Sequence, residues 1–162
     1  MGERGACTDP DGEPAMSELE IIPGAEVKST NHVQLTWVGA HRFDAGRPGG
    51  VTHRIDASAE TGPSPVDTLL NALAACTSVD IVEILAKRRT PVRTLTVDVD
   101  GARSAASPAR LVGILLTYRM AGEGIERVHA ERAIELAVTK YCSVRDSLDP
   151  MLPVRWALEL AE

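Results

Sequence analysis

The chain has 162 residues, a formal net charge of −6, 44% hydrophobic residues and only 3% aromatics. That length suits a single domain. The apolar fraction excludes wholesale disorder, and the acidic balance excludes broad nucleic-acid binding, which needs a basic face.

Residues 1–28 are polar and rich in Gly, Pro and Glu, which predicts a flexible extension ahead of a folded domain over residues 29–162. The opening stretch MGERGACTDPDGEPAMSELE has no apolar segment of the signal-peptide kind. No uninterrupted apolar run reaches the roughly 18 to 20 residues of a membrane span. A cytoplasmic protein without a membrane partner is therefore expected.

From His32 the pattern HVQLTWVG places Val33, Leu35 and Trp37 on one face of a strand. HRFDA and VTHRIDA predict two further strands around the turn-forming GRPGG. Ser64 and Asp67 then form a capping box with Pro65 at the first helical position. This helix is expected to run to about Arg89, before Thr90–Pro91, a length of roughly 36 Å at 1.5 Å per residue. Ala72, Ala74 and Ala75 in its middle allow close approach, as suits a central helix. TLTVDVDG alternates with Leu95, Val97 and Val99 inward. RLVGILLTYRM is apolar on both faces, with Val112, Ile114, Leu116 and Tyr118 on one and Leu111 and Leu115 on the other. Such a strand expects cover on both sides, from helices or from a second subunit. IERVHAERAIELAVTKYC predicts a second helix, and LPVRWALEL a last strand with Val154, Trp156, Leu158 and Leu160 on one face. The order of three strands, helix, two strands, helix, strand argues for an α+β domain.

Three cysteines remain to be explained. Cys7 sits in the tail and is expected to be dispensable. An odd, widely spaced set is no disulfide framework in a reducing compartment. The four histidines (His32, His41, His53, His129) are scattered and no CxxC occurs, so neither a metal nor a cofactor is expected. Cys76 shares a helical stripe with Leu69, Leu73 and Val79, and Cys142 continues one through Ile134 and Val138, so both are expected to point inward. Two readings are open from this pattern: buried structural thiols, or thiols facing one another closely enough to react. A mid-helix Cys76 keeps an ordinary pKa near 8.5 unless a cation is supplied, with Arg42, Arg47 and Arg54 in the preceding segments as candidates. Ser143 and Asp146 form a second capping-box pattern, which predicts a short helix and favours a thiolate at Cys142 beside its start.

SPVDTLLNALAACTSVDIVEIL together with ELAVTKYCSV resembles the OsmC/Ohr family of osmotically induced and organic-hydroperoxide-resistance proteins, over about Trp37 to Glu159. The resemblance implies the OsmC-like fold, with a long central helix, as an intertwined homodimer with two sites at the subunit interface. It also implies thiol chemistry. Carried onto this sequence, Cys76 attacks a small organic hydroperoxide, Cys142 resolves the sulfenic acid as a disulfide, and an external dithiol restores the pair. In the best-characterised family peroxidases a glutamate follows the helix-opening proline and holds an activating arginine. Val66 occupies that position here, and Asp67, one residue on, reads as a capping residue. The arginine corresponds to Arg42, after the strand tryptophan Trp37, with Arg47 in reserve. The other reading, favoured by Val66, is a dimeric protein that binds an apolar small molecule or senses redox state without turnover. A structural stress protein without a ligand is a third.

Overall fold

The computed structural model describes residues 19–161, so Cys7 and most of the expected extension lie outside the described residues. Contacts divide the chain after Val33. Within the first unit, residues 19–33 have no regular secondary structure apart from a turn at Pro23–Gly24, closed by Ala25 N–H donating to Ile22 C=O at 3.0 Å.

The second unit begins with an antiparallel sheet of β1 (Gln34–Trp37), β2 (Arg42–Gly46) and β3 (Thr52–Asp56). The first strand starts two residues later than the alternation of HVQLTW suggests. Among the described residues its side chains stay exposed, Leu35 at 58% and Trp37 at 65%. Gly46 is required at the hairpin base, because a Cβ there would lie 2.6 Å from the Val51 carbonyl oxygen.

Helix α1 (Pro65–Lys87) comes next. Its start is as the sequence predicts: Asp67 N–H donates to Ser64 Oγ at 3.2 Å, and Ser64 N–H donates to the Asp67 carboxylate at 2.9 Å. These bonds hold the Asp67 carboxyl below its ordinary pKa. The helix ends at Arg88, and Arg89 takes a left-handed conformation (φ 66°) that turns the chain towards Thr90–Pro91. The buried stripe is Leu70, Leu73, Thr77, Ile81 and Leu85. That corrects the expected stripe, since Leu69 and Val79 lie on the outer side, 39% and 60% exposed. With both faces rich in Ala, Leu and Val, periodicity alone does not identify the inner one. By length and composition α1 is apolar enough to cross a bilayer, with a mean hydropathy of 1.7 over its best window, of which 33% is buried inside the fold.

The second sheet contains β4 (Thr94–Arg103), β5 (Leu111–Ala121) and β6 (Val154–Leu160), with β5 central, antiparallel to β4 and parallel to β6. Gly101 lets α1 approach β4, because a Cβ there would meet Leu70 Cδ1 at 2.8 Å and Leu111 Cδ2 at 2.9 Å. Ile114, Leu116, Tyr118 and Met120 form the inner face of β5. Among the described residues the other face is open: Leu115 is 40% exposed, and Arg119 bridges Asp98 and Glu159 across the three strands. Val112 is 44% exposed although it shares the inner parity, because it lies beside the irregular register at Arg103.

The predicted second helix is divided. Helix α2 (Arg127–Leu136) gives way to a π turn (Ala137–Tyr141), succeeded by a four-residue helix α3 (Ser143–Asp146). Ala130, Ala133, Ile134 and Ala137 are fully buried, and small side chains let α2 lie close to α1.

Leu85 is completely buried at the foot of the inner stripe of α1. Leu85→Ala is expected to destabilise the fold by about 3 kcal/mol, the usual cost of a core leucine truncation. Chemical denaturation of the two proteins measures the difference.

Candidate functional site

Cys76 lies three turns into α1, half-buried at the border between the inner and outer stripes. Cys142 is 3% exposed and comes directly after the π turn. The π turn inserts extra backbone just before this residue and so re-aims the chain beyond it; such bulges recur at functional sites. Cys142 N–H donates to Ala137 C=O at 3.0 Å, five residues back. The residue then acts as N-cap of α3, its sulfur accepting a hydrogen bond from Arg145 N–H at 3.3 Å. The expected Ser143–Asp146 capping box does not form: the N-cap is Cys142, one residue earlier, with its sulfur as the single side-chain cap.

The two thiols are neighbours: each perturbs the titration of the other, Cys142 lowering the Cys76 pKa and Cys76 raising that of Cys142. Ser143 Oγ lies 4.0 Å from Cys76 Sγ. Burial alone pushes the Cys76 pKa up. Hydrogen bonds from Val144 N–H, the Cys142 thiol and the Ser143 hydroxyl and N–H outweigh it, and the net shift is downward from 9.0. Cys142 moves the other way. Burial is the largest cause, and the adjacent Cys76 adds to it against the Arg145 and Val144 amides, so the thiol is pushed up to about 11. This reverses the expectation of a thiolate at Cys142. The amides at the start of α3 serve Cys76 across the helix–helix contact, while Cys142 is the more deeply buried thiol.

Beneath the pair lies a buried polar contact absent from the sequence reading. Tyr118 O–H donates to Thr77 Oγ1 at 2.7 Å, and Thr77 O–H reaches Leu73 C=O (3.2 Å) and Ala74 C=O (3.0 Å). Both side chains are fully buried, and burial pushes the Tyr118 phenol up to about 12, with a smaller rise caused by the Cys142 charge. A threonine in the middle of an apolar helical stripe, next to a cysteine, is the sequence signal for such a contact.

Arg42 is half-buried at the start of β2, opposite Asp56, and Arg47 is exposed in the β2–β3 turn. Among the described residues neither forms a hydrogen bond or ion pair with either thiol. Arg54 is held by Asp44 at 2.5 Å. Val66 is half-buried in the first turn of α1.

The family model for OsmC-like proteins matches residues 57–157. The protein YhfA of Escherichia coli K12 is 29% identical over 103 residues, covering 64% of this chain and 77% of the relative. A hypothetical protein from Aquifex aeolicus superposes with a TM-score of 0.70 at 26% identity, over 83% of this chain and 99% of the other. An OsmC-like protein from Mycoplasma pneumoniae gives 0.72 at 16% identity, over 84% and 100%. The organic hydroperoxide resistance protein OhrB of Bacillus subtilis shares the fold with a TM-score of 0.55 at 17% identity, over 83% and 100%.

The opposite shifts of the two thiols give a pH-resolved expectation. Iodoacetamide, which reacts with thiolates, is expected to alkylate Cys76 with a midpoint below pH 9 and Cys142 only towards pH 11. The raised pKa of Cys142 also means that its neutral form favours folding below about pH 9, a contribution lost as pH rises towards 11. Peptide mapping of label against pH measures the order, and simultaneous alkylation at one midpoint would contradict it.

Proposed function

This chain belongs to the OsmC family, and we propose that it is a thiol-dependent peroxidase reducing organic hydroperoxides, with Cys76 the attacking thiol and Cys142 the resolving one. The observation that carries this reading is the adjacency of two thiols poised in opposite senses. Cys76 has amide donors that favour its thiolate, and Cys142 holds its proton beside it. The organic hydroperoxide resistance proteins among the structural neighbours support the choice of substrate class.

The Cys76 thiolate attacks the distal peroxide oxygen. The O–O bond breaks, the alkoxide leaves and takes a proton to become an alcohol, and Cys76 becomes a sulfenic acid. Cys142 then attacks that sulfur. The hydroxyl departs as water with the Cys142 proton, and a Cys76–Cys142 disulfide remains. Two electrons from an external dithiol restore both thiols. Arg42 is assigned to the departing alkoxide by the family pattern, with Arg47 as the alternative.

A homodimer belongs to the same proposal. The outer stripe of α1, with Leu69, Val79 and Val82 at 39%, 60% and 41% exposure, and the uncovered Leu35 and Trp37 of β1 are apolar surfaces of the kind a second copy covers. Sedimentation at micromolar concentration is expected to give a dimer, and a compact monomer would count against it.

The second reading, a dimeric binding or redox-sensing protein without turnover, is favoured by Val66 at the family glutamate position and by the lack of an arginine contact at Cys76 among the described residues. One equivalent of an organic hydroperoxide separates the two. The peroxidase reading expects a Cys76–Cys142 disulfide by mass spectrometry, a dimedone-labelled sulfenic acid on Cys76 in Cys142→Ser, and turnover reduced by at least ~10³-fold in Cys76→Ser. Two persistently free thiols would favour the binding reading.

A further inference from the structure

On the side of Cys142 formed by the π turn, α3 and the segment leading into β6 lies a cavity of about 340 Å³. Thr139, Lys140, Cys142, Arg145, Leu148 and Val154 contribute to its wall; Cys76 does not. Its shape is held by Arg145, whose guanidinium donates to the carbonyls of Asp149 (3.4 Å), Pro150 (3.5 Å) and Leu152 (3.1 Å). Arg145 is thus committed to the loop, whereas Lys140 stands at the wall with its ammonium 5.5 Å from the Tyr141 ring centre. The peroxide chemistry described above leaves this cavity without a role.

We propose that this cavity is the entry site of the external dithiol reductant, which attacks the sulfur of Cys142 in the Cys76–Cys142 disulfide. The inference rests on the redox-pair reading and adds to it the sulfur attacked and the route taken. A reductant thiolate entering here meets the Cys142 sulfur. The S–S bond breaks with its electron pair going to Cys76, and a mixed disulfide forms between the reductant and Cys142. The second reductant thiol, deprotonated, then attacks its own partner sulfur and closes a cyclic disulfide. Cys142 is released and takes up that proton. Thiol–disulfide exchange is faster when the departing thiol has the lower pKa, so leaving-group chemistry favours the same direction. The Val144 and Ser143 donors receive the departing Cys76 thiolate. Lys140 and Arg145 outnumber the single carboxylate of Asp146 in the wall, and the net positive charge suits an incoming thiolate or an acidic thiol.

The test starts from disulfide formed with diamide, which does not depend on peroxidase activity. 2-Mercaptoethanol is added first, and after a short interval the mixture is quenched with excess N-ethylmaleimide. Peptide mapping is expected to find mercaptoethanol on Cys142 and maleimide on Cys76; mercaptoethanol on Cys76 overturns the proposal. Thr139→Trp, which places bulk on the cavity wall, is expected to lower the ratio of dithiothreitol reduction rate to oxidation rate about 10-fold, and an unchanged ratio also overturns it. If that variant fails to fold, Lys140→Glu is expected to slow reduction by 3-mercaptopropionate severalfold relative to neutral 2-mercaptoethanol. Equal slowing of the two thiols counts against the route. If diamide forms no disulfide, the redox-pair reading fails but the route remains testable. Cys142 in Cys76→Ser is then expected to react with 5,5′-dithiobis(2-nitrobenzoate) more slowly once Thr139→Trp or Lys140→Glu is added for bulk or charge, respectively. No slowing in either case overturns the route.

Discussion

Two sulfurs held side by side cannot both carry charge without strong repulsion, and this constraint organises the site. One thiol must keep its proton if the other is to lose it. The fold decides which by distributing amides and burial unequally between two helices. Val144 and Ser143 at the start of α3 favour the Cys76 thiolate. Cys142 receives the Arg145 amide but is more deeply buried. The asymmetry therefore depends on how α1 seats against the π turn and α3. That in turn depends on the buried stripe from Leu70 to Leu85 and on the small residues of α2.

The polar contact between Thr77 and Tyr118 contributes to the same seating. A buried phenol must find an acceptor, and the acceptor here is the residue directly after Cys76. Tyr118 stands in the middle strand of the second sheet, so this hydrogen bond ties the register of α1 to that of β5. A rotation of α1 that moved Cys76 away from α3 would also leave Tyr118 without its partner.

Much of this architecture is legible in the sequence, and the parts that are not have identifiable causes. Alternation in TLTVDVDG and LPVRWALEL marks inward residues correctly because those strands have one covered face. The capping box at Ser64 is legible because its chemistry is local. The inner face of α1 is not, because an Ala- and Leu-rich helix offers two apolar stripes and only tertiary packing chooses between them. The π turn leaves no periodic signature in ELAVTKYC, since one extra residue per turn changes the phase without changing composition. The poise of the thiols is hidden for a related reason. Ser143, 67 residues further along the chain, brings its hydroxyl to 4.0 Å from Cys76 Sγ, and no local pattern reports that. The OsmC resemblance agrees with the family match over residues 57–157.

The parallel pairing of β5 with β6 has a consequence for how the chain acquires this site. β4 and β5 form a hairpin from neighbouring sequence, but Ile114 pairs with Val154, some 40 residues further on. Loop-closure entropy makes such a contact late and slow relative to the hairpin. During synthesis the edge of β5 stays unpaired until the last strand emerges, and an unpaired edge next to apolar side chains is a place for misassociation. Val154, in the wall of the cavity beside Cys142, arrives with that strand. The surroundings of Cys142 are therefore incomplete until β6 has emerged, and a nascent chain would expose this thiol to oxidants before its neighbours could restrain it.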